Sequence, residues 1–157
     1  MKKPEKILVI GIGNEFRGDD AAGLLAAEKL REKNLDHLVI RFNNRDGSAL
    51  LMLWEGFDNV ILIDAVSSDS EPGRIHHVDL LDSSFEEKLT RTSGHNFSIF
   101  ETVKLAGYVD KVPSNLKLYG IESKNFTMGE NPSEAVLTAV DRVVELLSRY
   151  KNQEPVI

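Results

Sequence analysis

Two aspartates and one histidine carry the chemistry open to this sequence. Asp20 stands in Gly18-Asp19-Asp20-Ala21-Ala22-Gly23, shortly after the aliphatic run Ile7-Leu8-Val9-Ile10. Asp64 follows a second such run, Val60-Ile61-Leu62-Ile63, and His95 lies in Thr92-Ser93-Gly94-His95-Asn96. Carboxylates accept protons and ligate divalent ions, and neutral imidazole is a common partner ligand. Two aspartates with one imidazole make a three-ligand site that leaves positions open for water or substrate. Each residue alone has a plainer use. Asp19 reads as an N-cap and Asp20 as a solvated first-turn acid that favours the helix dipole. Asp64 reads as a turn carboxylate and His95 as an exposed capping-loop residue. A charge set against a fully aliphatic strand is costly without a partner, and this favours a function for Asp64.

Other chemistries are poorly served. The chain has no cysteine, which excludes thiolate catalysis and thiolate metal ligands within it and suits a reducing compartment. Its serines include none in a recognisable nucleophile elbow. Gly11 and Gly13 begin a Gly-x-Gly turn, but the next glycine is Gly18, so the dinucleotide spacing fails, and no Walker lysine follows. His76 and His77 are consecutive in a strand-like segment and point to opposite faces, so they cannot chelate together; both read as surface or edge residues. A net charge of −6 argues against general affinity for nucleic acid.

The elements that must position Asp20, Asp64 and His95 follow from periodicity. The length of 157 residues suits one domain over 1–157 with a core that needs no disulfide or structural metal. A strand from Ile7 leads through the glycine turn into a helix from Ala21 to about Lys33. His37 to Phe42 is a second strand, and Ala49 to Trp54 a short apolar helix ended by Gly56, with Trp54 in the core. Asn59 to Val66 is a continuous aliphatic strand of the kind covered on both faces. Arg74 to Asp79 is a fourth strand. The connection before it is too short for a helix, so it runs antiparallel to the third. Glu86 to Arg91 reads as a charged helical segment and Phe97 to Ala106 as a helix, with His95 at its start. Asn115 to Glu122 is the last strand, Phe126 to Asn131 a loop able to flank a cleft, and Pro132 opens the final helix. Asn152 to Ile157 reads as a frayed tail. The expected fold is α/β: a three-layer αβα sandwich around a mostly parallel, five-stranded twisted sheet with one antiparallel strand. In a doubly wound order 2-1-3 the first and third strands are neighbours about 4.8 Å apart, and ligands bind at their carboxyl ends. Asp20 and Asp64 would then face one another across one cleft. The apolar run after the charged N-terminus is too short for a signal peptide or membrane span, so a soluble, cytoplasmic protein is expected.

The combination Gly11-Ile12-Gly13-Asn14, Gly18-Asp19-Asp20-Ala21-Ala22-Gly23, Ile63-Asp64-Ala65 and Ser93-Gly94-His95-Asn96, with the Tyr119-Gly120-Ile121 strand, resembles the nickel-iron hydrogenase maturation proteases, especially the hydrogenase-3-type branch. The resemblance implies a phosphorylase/hydrolase-like fold and a cytoplasmic endopeptidase. Its partner would be the nickel-loaded large-subunit precursor of a hydrogenase, from which it removes a C-terminal extension. The family's metal-contact positions fall on Asp20, Asp64 and His95, with Asp20 and Asp64 also the candidate catalytic acids. The metal is nickel supplied by the precursor, and another divalent metal could substitute. Glu15 aligns with a variable turn position. Arg45-Asp46-Gly47-Ser48 departs from the Asp-Gly-Gly pattern of relatives, which puts a role for that loop in doubt. A non-catalytic nickel-sensing chaperone and a nucleotide-binding α/β module stand as alternatives.

Overall fold

The computed structural model describes residues 5–82 and 99–150. Its centre is a five-stranded sheet in the order β2-β1-β3-β5-β4. β1 (Ile7–Ile12) and β3 (Asn59–Val66) are buried along their whole length, as their uninterrupted aliphatic character requires. β1 pairs in parallel with β2 (Leu38–Asn43) and with β3, and β3 pairs in parallel with β5 (Asn115–Glu122). The edge strand β4 (Ile75–Asp79) runs antiparallel to β5. The sequence therefore predicts the direction of β4 correctly. Its partner is β5 because β5 occupies the edge of β3. The loop leaving β3 is tied to the end of β5 by Gly73 N donating to Glu122 O (2.8 Å) and Glu122 N donating to Arg74 O (2.8 Å).

Helices cover both faces. Ala22, Ala26 and Leu30 of α1 (Ala22–Glu32) pack with Val136, Val140, Val143 and Leu147 of α4 (Glu134–Ser148) on one side of the sheet. On the other, Leu50 and Trp54 of α2 (Gly47–Trp54) join Ile99 and Ala106 of α3 (Ile99–Tyr108) against Leu8, Ile10 and Leu62. Trp54 is a core residue whose indole N–H donates to Lys111 O at 2.8 Å. This is the expected αβα sandwich with one antiparallel strand. Element ends move by a residue or two. A single 3-10 turn, Gly18–Ala21, precedes α1, and α2 begins early because the Asp46 side chain accepts from Ala49 N (3.2 Å) as an N-cap. Pro132 sits one residue outside the Ser133 N-cap of α4. The charged helical segment at 86–91 and the tail at 152–157 lie outside the described residues.

Gly11 and Gly23 let α1 settle directly onto the carboxyl ends of β1 and β3. A Cβ on Gly23 would lie 2.2 Å from Ile63 O and 2.4 Å from Ile12 O, and one on Gly11 would lie 2.4 Å from Gly23 O. The obstacles are backbone atoms, which cannot rotate away. Gly23→Ala is accordingly expected to lower the unfolding free energy by about 1–3 kcal/mol, as overpacking does. A urea midpoint unchanged from wild type would show that the helix sits further from the sheet.

Candidate active site

Asp20 leaves the 3-10 turn at the carboxyl end of β1 and is fully buried. The turn before it folds back so that Asn14 N donates both to Asp20 Oδ2 (3.2 Å) and to Asp20 O (3.3 Å). Asp64 is also fully buried. Its neighbour Ile63 is the last residue of β3 paired with β1, and Asp64 itself lies opposite Gly120 of β5. The two acids are thus brought together at adjacent strand ends, as the strand order requires.

Between them lies a residue that sequence reasoning set aside. Arg45 extends its guanidinium to both carboxylates. Nε donates to Oδ1 and Oδ2 of Asp20, each at 3.1 Å, and Nη2 also donates to Asp20 Oδ1. Nη2 donates to Asp64 Oδ1 at 2.8 Å, and Nη1 reaches Asp64 Oδ2 at 3.5 Å. One planar fork therefore touches all four carboxylate oxygens, a geometry a lysine could not reproduce. The loop is built to deliver it. The buried Asn43 side chain clamps Asp46 by accepting from Asp46 N and donating to Asp46 O, each at 3.0 Å. Arg45 lies in the bend this clamp closes, with φ +66°. A non-glycine residue in that region carries a backbone cost, repaid here by the ion pairs. The loop that departs from the Asp-Gly-Gly pattern of relatives thus places its arginine against both acids.

Burial sets the electrostatics. Desolvation is the largest influence on Asp64 and raises its carboxyl from 3.8 to about 7; the Asp20 charge adds to the rise, while Arg45 opposes it. For Arg45 burial acts against the charged form, but the charges and hydrogen bonds of Asp64 and Asp20 outweigh it and hold the guanidinium above its ordinary value. With both acids ionised the cluster carries one net negative charge.

Asp19 proves not to be the N-cap of α1, and Asp20 is not a solvated first-turn acid. The buried Asp19 carboxylate accepts from Lys124 N (3.2 Å), Asn125 N (3.0 Å) and Ser133 N (2.6 Å), pinning the segment after β5 and the start of α4 to the Asp20 turn. Asp19 N donates to Asn125 O, Gly18 N to Glu130 O and Gly129 N to Phe16 O, so the 126–131 loop flanks the turn as expected. A second buried acid, Glu122 at the end of β5, was not singled out from sequence. It accepts from Ser68 N (2.9 Å) and from Ser68 Oγ, and pairs with His76 Nε2 (2.9 Å). The serine and the imidazole converge on the same oxygen, so the histidine does not stand between acid and hydroxyl as a catalytic relay requires. His76 and His77 do lie on an edge strand and on opposite faces, but neither is a plain surface residue: His77 packs on the Tyr119 ring at 4.7 Å. Burial, then Lys117, lowers the His77 pKa.

His95 lies outside the described residues. Among the described residues no group of three or more His, Asp or Glu side chains is placed to hold a metal ion. Asp20 and Asp64 supply two carboxylates aimed at one cation position, which suits a divalent ion that brings or finds further ligands.

Two outcomes follow from this geometry. Asp19→Ala would strand three backbone N–H groups and is expected to cost about 3 kcal/mol or more of stability, read from urea unfolding. For Asp64 the folded value of about 7 exceeds 3.8 in the unfolded chain. Its stabilising contribution is fully present below pH 4 and is lost as pH rises through 7. Asp64→Asn should therefore flatten the fall in unfolding midpoint between pH 5 and 8; parallel profiles for the two proteins would contradict the raised carboxyl.

Residues 45–150 match the family model described as hydrogenase maturation protease. The chain is 30% identical over 156 residues to a Methanocaldococcus jannaschii protein named for that activity, a match spanning 94% of this chain and 96% of the relative. It is 28% identical to the hydrogenase 2 maturation protease of Escherichia coli, over 90% of each chain. The solved structure of the [NiFe] hydrogenase maturation protease HybD from Thermococcus kodakarensis superposes with a TM-score of 0.73 at 27% identity, covering 92% of this chain and 97% of that one. With the sheet order, the paired acids and these likenesses in agreement, the chain belongs to the hydrogenase maturation protease family.

Proposed function

We propose that this protein is an endopeptidase that removes a C-terminal extension from the large-subunit precursor of a nickel-iron hydrogenase after nickel insertion, recognising the precursor through its bound nickel. The observation that supports this most strongly is the convergence of Asp20, from the turn after β1, and Asp64, from β3, on one buried cationic group. Family membership supplies the substrate class. The resemblance supplies His95 as third ligand.

The chemistry is hydrolysis of one peptide bond: water adds across it, the carbonyl carbon gains a hydroxyl and the leaving nitrogen gains a proton. The client's nickel, as part of the substrate, would polarise the reacting carbonyl or water. The chain's own contribution is to hold the loaded precursor against two carboxylates, either of which can accept the proton. Because only the loaded precursor brings a cation, metal loading becomes the condition for productive binding. Among the described residues no helix is long and apolar enough to cross a membrane, and the cytoplasm is the compartment this reading implies.

Incubation with nickel-loaded and nickel-free precursor should yield cleavage of the loaded form alone. Asp20→Ala, Asp64→Ala and His95→Ala should each slow processing by more than ~100-fold, beyond the loss typical of an outer-sphere partner. Binding of loaded precursor without cleavage would favour the chaperone. Full activity in His95→Ala would remove that residue from the ligand set.

A further inference from the structure

Arg45 places a permanent positive charge against both acids of a cation-recognising site. Every oxygen of Asp20 and Asp64 is engaged by its guanidinium. A divalent ion that contacted both acids would need those same oxygens and would lie within a few ångströms of a like charge. The Arg45 side chain is only 9% exposed, so an ion contacting both acids competes with the guanidinium for them in a poorly solvated site. Like charges in a poorly solvated site repel strongly.

We propose that Arg45 is the resident cation of this site: it holds Asp20 and Asp64 in place between clients and must be displaced by the client's metal. The proposal rests on the reading of Asp20 and Asp64 as metal-contact residues and adds a selection step to it. Cation binding becomes an exchange. A free ion gains two carboxylates but must break the whole guanidinium fork. An ion delivered on a docked protein brings the binding energy of the surrounding contacts to the same exchange. Arg45 thus discriminates against free ions, a repulsive element of the kind that specificity commonly requires. The mounting of the side chain suits this task. The Asn43 clamp and the Asp46 cap hold the backbone on either side, so the guanidinium can leave without unravelling α2.

The test is calorimetric titration of untagged protein with nickel chloride, on wild type, Arg45→Gln, and each of these carrying Asp64→Asn, with folding checked by circular dichroism. Arg45→Gln should bind Ni2+ at least tenfold more tightly than wild type, a gain that mere destabilisation would not produce. The Asp64→Asn change should abolish that binding in both backgrounds. Equal affinity in wild type and Arg45→Gln, still lost with Asp64→Asn, would overturn the role of Arg45 and leave the two-acid site standing. Binding that survives Asp64→Asn would overturn the site itself, and absence of binding to Arg45→Gln would overturn the proposal. Should Arg45→Gln fail to fold, Arg45→Lys takes its place. It keeps the charge but loses the fork, and is expected to bind Ni2+ more tightly than wild type; affinity equal to wild type would refute the exchange.

Discussion

Two carboxyl groups excluded from water are the constraint on which the rest of this molecule depends. A buried carboxylate without compensation is expensive, and two at neighbouring strand ends also repel one another. The structure meets that cost with one guanidinium whose planar fork spans both. Such clusters are weak devices for stability, since apolar packing of the same volume serves as well or better. Their presence in the otherwise aliphatic centre of the sheet therefore points to chemistry.

Around the cluster the backbone is locked by close approach. Gly11 and Gly23 remove the side chains that would hold α1 away from β1 and β3, and the turn carrying Asp20 inherits its position from that contact. Polar tethers do the same for the loops. Asp19 ties the segment after β5 and the start of α4 to the Asp20 turn, while Glu122 ties the β3–β4 loop to the end of β5. Adjacent aspartates in one turn thus divide the work: Asp19 accepts from the backbone and stabilises, Asp20 pairs with Arg45. Buried acids satisfied by several donors are rigid, and rigidity holds the two carboxyl groups of Asp20 and Asp64 in fixed places.

Membership of the hydrogenase maturation protease family fits this arrangement, because a protease that acts once on one client gains from a recognition element the unready client lacks. A metal carried by the client is such an element.

What the sequence determined by itself was local and periodic. The bounds of β3 and β5, the burial of Trp54, the helix after the glycine turn and the reversed direction of β4 all followed from runs, alternation and connection length, which act over a few residues. The meeting of Asp20 and Asp64 was legible too, since parallel strands joined by a helix leave few topologies. What only the tertiary structure decided was which polar residue partners which. Arg45 is 25 residues from Asp20 and 19 from Asp64, and Asp19 is 106 from Asn125; no local pattern specifies such pairs. Ion pairs and backbone anchors between separate elements depend on register, on the bend at Arg45 and on how near α1 lies to the sheet, and those are set by packing of the whole chain.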